Sequence, residues 1–389
     1  MSPSGRDGDG QGDTAIEVSF VERGDLDALI EPWRALSTRS LEPNVLHGPD
    51  VLGPALAAFA PSARVAVAWR GAAMVGLLPL WMPRMGFGLF DRLPTLFSNE
   101  FTPLGTPLID ADRPVATARA LLDAVAAVGK GLVLPHLTLD GPVATAFAQA
   151  VRMRGDRWSL AERHDRAALL AATDDATAEA EARARFDGGI RRKRRKEWAR
   201  QWRRLIETGT ITVTSVRGAA ARAAFADFLV LEASGWKGRA GTALVQSQTE
   251  LTFGENVVAA LAEHDGVVID RIDRRGQALA MLVNFGVGGH YVTWKTAYDE
   301  AFSTFSPGAQ VFLRASARFL AEPMVTVVDS LAVADHPLLS HMWRDALAIG
   351  TVVIGFGSPA RGARLVALDI EWHDRIRRTA RRIRDRWFS

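Results

Sequence analysis

Ionisable side chains that could move a proton gather at the end of one predicted strand. The group consists of Lys295, Tyr298, Asp299 and Glu300, which close or follow the segment His290–Tyr298. This segment also holds Tyr291, the other tyrosine of the chain. Clefts in α/β proteins form at strand ends, where such groups can meet a substrate. We therefore expect this strand end to contribute to a functional site.

A second candidate is the segment Gly235–Thr242, which places one tryptophan and two cations among three glycines. It directly follows a predicted amphipathic helix. Glycines at this density indicate special backbone geometry. The segment is predicted either to shape a ligand loop or to form a helix C-cap followed by a surface turn, and the pattern alone leaves both open.

A third candidate is the predicted helix start at Ser306-Pro307-Gly308. Serine is a good N-cap residue, proline is preorganised for the first helical position, and glycine lets a ligand approach the backbone. The free N–H groups of a helix start, together with the positive end of its dipole, suit a pyrophosphate. A well-capped helix without a ligand is the alternative.

The elements that position these residues alternate irregularly, as in a mixed α/β layer. The predicted strands are Ile16–Val21, Arg64–Trp69, Ala73–Trp81, Gly131–Leu139, Trp158–Glu162, Ile211–Val216, Val267–Asp273, Ala278–Phe285, His290–Tyr298 and Met324–Leu331. The predicted helices are Asp25–Ser40, Pro114–Val128, Pro142–Arg154, Ala219–Ala233, Thr249–Glu263 and Ala309–Ala321. A period of two in His290–Tyr298 predicts Tyr291, Thr293, Lys295 and Ala297 on one face and Val292, Trp294, Thr296 and Tyr298 on the other.

Two predicted hairpins are similar to each other. Arg70-Gly71-Ala-Ala73-Met74 aligns with Arg275-Gly276-Gln-Ala278-Leu279 at an offset of 205 residues. Because domains commonly have about 100 to 200 residues, this favours two similar halves. We expect a disordered tail at 1–14, an N-terminal domain at 15–170, a basic helical connection at 171–210, a C-terminal domain at 211–372 and a basic amphipathic helix at 373–389.

The composition indicates a globular chain and excludes several classes of chemistry. Of 389 residues, 48% are hydrophobic and 23% charged, which is enough to bury a core. The absence of cysteine excludes disulfides, Cys-ligated metal sites and a cysteine nucleophile, and no metal is expected. The longest nearly apolar stretch, Ala72–Met82, is far shorter than the roughly 20 residues of a membrane span. With no export signal in residues 1–13, we expect a cytoplasmic protein.

Basic charge is concentrated in two segments, although the net charge is only +3. Arg183–Arg204 carries a local +9, and Asp374–Arg386 carries a local +5. In the first segment Trp198 and Trp202 share the apolar face, so nucleic acid is not an expected partner. In the second, the residues at helical spacing are Ile376, Ala380, Ile383 and Trp387. This helix, Arg375–Trp387, is predicted either to dock its apolar face onto its own domain or to lie on an anionic membrane.

A short motif in the first half also contains a possible base. His136-x-x-x-Asp140-Gly141 resembles the motif of chloramphenicol-acetyltransferase-like and condensation enzymes, in which such a histidine is the general base. The second motif of those enzymes, around Asp-Phe-Gly-Trp-Gly, is absent from the sequence. A strand that ends in a turn explains the same residues, and we favour that interpretation.

Three C-terminal motifs occur together: Leu231–Gly238 with Gly241–Ala243, Trp294–Glu300, and Ser306–Gly308. In this combination the chain resembles the CelD/BcsL-type acetyltransferases, a branch of the GNAT superfamily related to the FemAB peptidoglycan aminoacyltransferases. The basic stretch Arg191–Leu205, ending at Gly209, and Leu77–Leu80 also fit. The resemblance therefore spans nearly the whole chain.

The resemblance implies two tandem GNAT-like domains, each a mixed, mostly antiparallel sheet flanked by helices. Acetyl-CoA or another acyl-CoA would be the co-substrate of the C-terminal, catalytic one. In such folds two adjacent parallel strands splay to admit the pantetheine arm, and a backbone N–H of the first polarises the thioester carbonyl. The implied reaction is direct transfer of an acyl group, acetyl in the first instance, to an amine or hydroxyl of a saccharide or cell-envelope precursor. Phe305–Ala309 stands in place of the usual Q/R-x-x-G-x-G/A loop.

The resemblance also implies roles for individual residues. Backbone N–H groups of Ser306, Gly308, Ala309 and Gln310 would hold the pyrophosphate. Asp299 or Glu232 would be the general base, Tyr298 the acid for the departing thiolate, and Lys295 or Lys237 a positive charge for the phosphate or the oxyanion. Trp236, Lys237 and Trp294 would contact the acceptor.

Two other functions stay open. In FemAB-like transfer from aminoacyl-tRNA, the +9 segment would contact the tRNA. In a non-catalytic scaffold, the acyl-CoA cleft would have degenerated, and the two basic segments would bind a membrane or nucleic acid. Peripheral contact with the inner face of the membrane is compatible with each of these functions.

Overall fold

The computed structural model describes residues 15–84, 86–90, 92–171, 176–357 and 361–387, with the backbone alone at 176–179, 361 and 377–387. The predicted tail at 1–14 lies outside the described residues. The strands are β1 (Ile16–Glu22), β2 (Arg64–Arg70), β3 (Ala73–Trp81), β4 (Thr95–Leu96), β5 (Leu108–Ile109), β6 (Gly131–Thr138), β7 (Arg157–Leu170), β8 (Ile211–Arg217), β9 (Val267–Arg274), β10 (Gln277–Val287), β11 (His290–Tyr298), β12 (Val327–Asp329) and β13 (Asp345–Gly355). The helices are α1 (Ile30–Arg39), α2 (Pro49–Phe59), α3 (Pro114–Ala126), α4 (Pro142–Arg154), α5 (Ala176–Gly189), α6 (Arg192–Ile206), α7 (Gly218–Ser234), α8 (Trp236–Arg239), α9 (Gln248–Ala262), α10 (Pro307–Ala321), α11 (Leu339–Met342) and α12 (Arg361–Trp387). 3₁₀ helices lie at Arg23–Leu29, Val45–His47, Leu244–Gln246 and Glu300–Phe305.

One mixed sheet runs through both halves of the chain. Its strand order is β1-β2-β3-β4-β6-β13-β7-β12-β11-β10-β9-β8, and β5 pairs with β3. Two pairs are parallel, β4 with β6 and β11 with β12, whereas the other paired strands are antiparallel. Each half is therefore a mixed, mostly antiparallel sheet flanked by helices, which confirms the predicted fold class.

The two halves repeat the same order of elements. In the first half β1 is followed by α1 and α2, the hairpin β2–β3, β4, α3 and β6. In the second half β8 is followed by α7 and α9, the hairpin β9–β10, β11, α10 and β12. The hairpin turns after Arg70 and Arg274 occupy the same place in each half, at an offset of 204 residues, one fewer than the alignment of the similar segments predicts.

One strand in the middle of the sheet comes from near the end of the chain. β13 lies between β6 and β7 and pairs antiparallel with both. Its residues Ala348–Gly355 are buried because the strand is covered on both faces of the sheet. The C-terminal domain predicted at 211–372 includes this strand, whereas its hydrogen bonds join it to strands 131–138 and 157–170.

Some predicted elements have different bounds. The strand predicted at Trp158–Glu162 extends to Leu170, because it pairs along its length with β13 and then with β12. The strand predicted at Met324–Leu331 is reduced to Val327–Asp329. Leu331 has a φ of 50°, so the chain leaves the extended conformation there.

Helices cover both faces of the sheet beside β11. On one face, a core cluster combines Trp33 and Leu52 of the first half with Phe228, Phe253 and Phe285 of the second. On the other face α10 packs with α5 and α6. The basic helix α6 docks through Trp198 and Leu205, both buried, as its apolar face predicts. The position of β11 is therefore fixed from both sides.

Candidate active site

The sheet opens between β11 and β12. These parallel strands pair over three residues only, His290–Val292 against Val327–Asp329. The hydroxyl of Thr293 donates to the carbonyl of Ser330 at 2.9 Å, and beyond this point the two chains separate. The opening forms a cavity of about 500 Å³. Splayed parallel strands at this position are the geometry that the resemblance implies.

Residues from distant parts of the sequence line this cavity. It is walled by α7, α8, β10, β11, α10 and the segment 330–339. The predicted site residues at its wall are Glu232, Trp236, Lys237, Trp294, Lys295, Tyr298 and Gly308. Three candidate segments that were found separately in the sequence thus meet around one volume.

A β-bulge at Trp294 changes which side chains face the cavity. Val283 pairs with Lys295 and Asn284 with Thr293, so Trp294 is an extra residue in β11. After an extra residue, the side chains of a strand point to the opposite faces of the sheet from those that strict alternation predicts. The backbone groups of the extra residue itself stay outside the hydrogen-bond ladder of the sheet. The predicted alternation over the whole strand is therefore wrong.

The bulge brings together side chains that were predicted on opposite faces. Trp294 Nε1 donates to the carbonyl of Phe101 at 3.1 Å, and Lys295 Nζ lies 5.1 Å from the centre of the Phe101 ring. Tyr291 and Tyr298 likewise both pack on the side of α10. Phe101 belongs to the first half of the chain, so it carries no local signal that could have predicted this contact.

One buried carboxylate holds two lysines beside the cavity. Glu232 Oε1 accepts a hydrogen bond from Lys237 Nζ at 3.0 Å and lies 3.7 Å from Lys295 Nζ. Glu232 Oε2 accepts from the backbone N–H of Leu244 at 2.9 Å, and Lys237 Nζ also donates to the carbonyl of Thr296 at 3.0 Å. Both carboxylate oxygens are therefore engaged by the protein.

Burial lowers the pKa of Lys295, and the nearby charge of Lys237 lowers it further. The carboxylate of Glu232 opposes this effect by raising the pKa of Lys295. Of the two lysines, Lys295 is held less closely by Glu232. Despite the opposing carboxylates, burial leaves the pKa of Lys295 below its ordinary value.

The start of α10 differs from a standard cap. Ser306 has a φ of 52°, and its side chain makes no capping hydrogen bond, so the predicted N-cap interaction is wrong. A left-handed backbone directs the serine hydroxyl away from the first turn, where an N-cap is normally extended. Gly308 lies at the cavity wall, and a Cβ there would come within 3.2 Å of the Tyr298 ring.

The four N–H groups predicted to hold a pyrophosphate are not equivalent. The N–H of Ser306 donates to Ser303, and that of Gln310 donates to Ser306. The N–H groups of Gly308 and Ala309 belong to the first helical turn, where the helix supplies no acceptor. The side chain of Gln310 donates to the carbonyl of Trp198 at 2.9 Å and so fixes α10 to α6.

Asp299 lies outside the cavity wall, as do Ser306, Ala309 and Gln310. Its carboxylate accepts from the backbone N–H of Ala301 at 2.9 Å and caps the 3₁₀ helix Glu300–Phe305. Glu300, another ionisable residue of this strand end, accepts from the N–H of Trp236 and from Arg239. This interaction fixes α8 against the end of β11.

A smaller cavity of about 190 Å³ adjoins the first one, with Leu331 and Ala332 in both walls. His136 lies at its wall with Nδ1 2.8 Å from the hydroxyl of Ser98, which donates to the carbonyl of Thr102. Because Ser98 has one proton to donate, His136 Nδ1 carries a hydrogen and Nε2 is the acceptor. Burial lowers the pKa of His136 to about 4, so the ring is neutral at pH 7.

Residues 192–336 match the family model described as "Acetyltransferase (GNAT) domain", a segment that contains most of the cavity wall. The chain has a GNAT-like fold. A conserved protein of unknown function from Bacteroides thetaiotaomicron VPI-5482 has a TM-score of 0.52 and 11% identity, over 88% of this chain and 100% of that one. The crystal structure of FemX has a TM-score of 0.52 and 11% identity, over 87% of this chain and 96% of that one. No curated protein matches the chain in sequence.

These matches confirm the predicted resemblance at the level of the GNAT domain and its fold. GNAT domains are acyltransferases that generally use acyl-CoA, so the matched domain supports an enzyme of this class. The CelD/BcsL branch stays a prediction. Within the residues that the structure describes, no group of three or more His, Asp or Glu side chains could hold a metal ion.

Proposed function

We propose that the chain transfers an acyl group, acetyl in the first instance, from acyl-CoA to an amine or hydroxyl of a saccharide or cell-envelope precursor in the cytoplasm. The observation that carries the proposal is the cavity at the splayed strands β11 and β12. It has a helix start at one wall and the two lysines at another. The GNAT match over residues 192–336 supports acyl transfer as the class of reaction.

The start of α10 fits the pyrophosphate of the donor. Gly308 and Ala309 have N–H groups without helical acceptors, the helix dipole is positive there, and Gly308 leaves the approach open. The pantetheine arm would pass between β11 and the segment 330–332. The backbone at the Trp294 bulge lies outside the sheet ladder and would offer an N–H to the carbonyl oxygen as negative charge develops on it.

Lys295 suits the role of proton acceptor better than either carboxylate. It lines the cavity, and burial lowers its pKa, whereas Glu232 and Asp299 already accept hydrogen bonds within the protein. In this scheme the acceptor gives its proton to neutral Lys295 as the new bond to carbon forms. The carbon–sulfur bond breaks, and Tyr298 gives a proton to the departing thiolate. Glu232 is then a positioning residue.

The acceptor would bind at the rim formed by α8. Trp236 is 53% exposed there, and Lys237 lines the cavity beside it. An exposed aromatic ring next to a polar group suits an acceptor with one apolar and one polar face, such as a sugar ring.

Transfer from aminoacyl-tRNA is the second candidate function. α6 supports it because its first turns present Arg192, Lys193, Arg195 and Lys196 to solvent while Trp198 is buried. An exposed basic helix end provides phosphate contacts without base specificity.

Isothermal titration with acetyl-CoA and longer acyl-CoAs tests the donor. We expect micromolar binding by the native chain and none by Gly308→Asp, which adds a negative charge where the pyrophosphate would lie. Gly308→Ala adds a side chain without a charge, so it separates the effect of size from the effect of charge. Because its Cβ would only approach the Tyr298 ring, this variant should weaken acyl-CoA binding several-fold. Gly362→Asp, in the first turn of α12 with nothing within 4 Å, is the matched control.

Absence of acyl-CoA binding by the native chain would remove the proposed donor. A salt-dependent affinity for aminoacyl-tRNA, lost when Arg192, Lys193 and Arg195 are replaced by alanine, would then favour the second candidate. Binding that survives Gly308→Asp would keep the donor and reject its position at α10.

A further inference from the structure

Large apolar side chains are exposed along one loop of the first half. The segment 82–90 is the first part of the connection from β3 to β4. Among its described residues the exposed large apolar side chains are Met82 (51%), Phe87 (48%), Leu89 (71%) and Phe90 (40%). Scattered apolar side chains at a surface are ordinary, whereas several in one short loop mark a contact surface.

The last helix adds a second row of exposed apolar side chains. α12 docks on the sheet through Ala363, Val366, Ala367 and Ile370. Its outer face carries Leu365 (43%), Leu368 (40%), Trp372 (62%) and Ile376 (51%). Their spacing of 3, 4 and 4 residues forms one stripe along the helix.

This arrangement bears on the two alternatives for the basic helix. Ile376 was predicted on the apolar face of this helix, and its side chain is exposed. The helix docks instead through residues that lie earlier in its sequence, between Ala363 and Ile370. The exposed position of Ile376 therefore favours contact with a membrane over docking of the predicted face. Ala380, Ile383 and Trp387 continue the spacing in the sequence, and their side chains lie outside the described residues.

The loop and the helix form a single surface. Asp369 Oδ2 accepts from the N–H of Gly88 at 3.2 Å and from that of Leu89 at 3.4 Å. The ring of Phe87 meets His373 edge-on, 5.0 Å between centres. Gly86 has a φ of 59° and lies so close to Asp369 that a Cβ would overlap it. These contacts hold the loop beside the exposed stripe; we call the loop 82–90 and the stripe together the apolar platform.

Positive charge surrounds the apolar platform. Arg84 of the loop and Arg364 of α12 are exposed, as is Arg92, two residues beyond the loop. The helix continues into Asp374–Arg386, where seven arginines stand against two aspartates. Apolar side chains next to a dense group of arginines are complementary to an anionic bilayer. The apolar side chains would enter the acyl region, and the arginines would contact the headgroups.

We propose that the apolar platform and the arginines of α12 bind the surface of an anionic membrane. No helix among the described residues is long and apolar enough to span a bilayer, so the contact is interfacial. A two-fold dimer through the same patch would bring the arginines of one copy against those of the other. Five of the eight exposed apolar side chains are aliphatic and do not stack on bases, which disfavours RNA; they are Met82, Leu89, Leu365, Leu368 and Ile376.

Co-sedimentation of the full chain with vesicles tests the proposal. We expect binding to vesicles of phosphatidylcholine with phosphatidylglycerol, weakened by salt, and little binding to phosphatidylcholine alone. Leu89→Glu and Trp372→Glu, both at exposed positions, should each reduce the partition coefficient about tenfold or more. Met153→Glu, 59% exposed on α4 away from the platform, is the matched control and should bind as the native chain does.

Replacement of Arg381, Arg382 and Arg384 by alanine should reduce binding to anionic vesicles and its dependence on salt. Equal binding by the native chain and by Leu89→Glu and Trp372→Glu would overturn the proposal. Failure of the native chain to bind vesicles would also overturn the proposal if the chain instead formed a concentration-dependent dimer or an RNA complex that these variants abolish. The measurement needs no acyl donor, so its outcome is independent of the proposed reaction.

Discussion

Glu232→Gln tests whether the carboxylate positions the two lysines. The variant removes one charge, keeps the side-chain shape, and retains an oxygen that can accept from the N–H of Leu244. Removal of one partner from a buried ion pair costs about 3–5 kcal/mol. The side chain of Glu232 is 0% exposed, but those of Lys237 and Lys295 are 22% and 15% exposed and stay partly hydrated. We therefore expect a loss of about 2 kcal/mol in the free energy of unfolding.

The same variant should shift the pH dependence of activity. Glu232 raises the pKa of Lys295, so its removal lowers that pKa further. If neutral Lys295 takes the proton, kcat/KM rises as the pH rises through the pKa of Lys295. In Glu232→Gln this rise should move to lower pH, and the plateau should fall about 10- to 100-fold because the lysines lose their fixed position.

Urea unfolding and the pH profile of thiol release measure the two effects. Glu255→Gln, the same change at an exposed position of α9, should alter the free energy of unfolding by less than about 0.5 kcal/mol. An unchanged unfolding midpoint together with an unchanged pH profile would refute the argument, because the lysines would then not depend on Glu232.

Further predictions concern single groups. Lys295→Arg keeps the positive charge but cannot supply a neutral base, so kcat should fall about 100-fold or more with acyl-CoA affinity nearly unchanged, and an active Arg variant would reject Lys295 as the base. Tyr298→Phe should lower kcat about tenfold without weakening donor binding in a titration, and an unchanged kcat would remove Tyr298 as the acid. Burial raises the pKa of Glu42 from 4.5 to about 7, so the stability that its protonated form provides is present at low pH and lost as the pH rises from 4.5 through 7. Because Glu42 is only half-buried, Glu42→Gln should stabilise the protein by about 1–2 kcal/mol at pH 8 and hardly at pH 5 in urea unfolding; equal effects at both pH values would contradict this.

Local patterns in the sequence predict much of the second half. The alternation of His290–Tyr298 and the Ser-Pro-Gly signal at 306–308 depend on neighbours in the chain, and the structure has the strand and the helix where they indicate. The bulge at Trp294 depends on how β11 pairs with β10, which no single segment encodes. β13 lies between strands more than 170 residues earlier, so its place in the sheet is a property of the whole fold.

Within the candidate site, the sequence alone could not distinguish the roles of the two carboxylates. Asp299 and Glu232 were equivalent candidates as bases from the sequence. The structure distinguishes them because Asp299 accepts from the N–H of Ala301 and caps the adjacent 3₁₀ helix, whereas Glu232 reaches lysines on two different elements. Phe101, which meets both Trp294 and Lys295, comes from the other half of the chain and had no signal.

The position of β13 has a consequence for the synthesis of the chain. When Leu170 has been added, β6 and β7 have both been made, but about 175 more residues must follow before the strand that lies between them begins at Asp345. At about 5–20 residues per second, a ribosome needs roughly 10 to 35 seconds for this. Throughout that interval the facing edges of β6 and β7 lack their partner, and unpaired edges can join with other chains. This part of the sheet can therefore be completed only after nearly the whole chain has been synthesised.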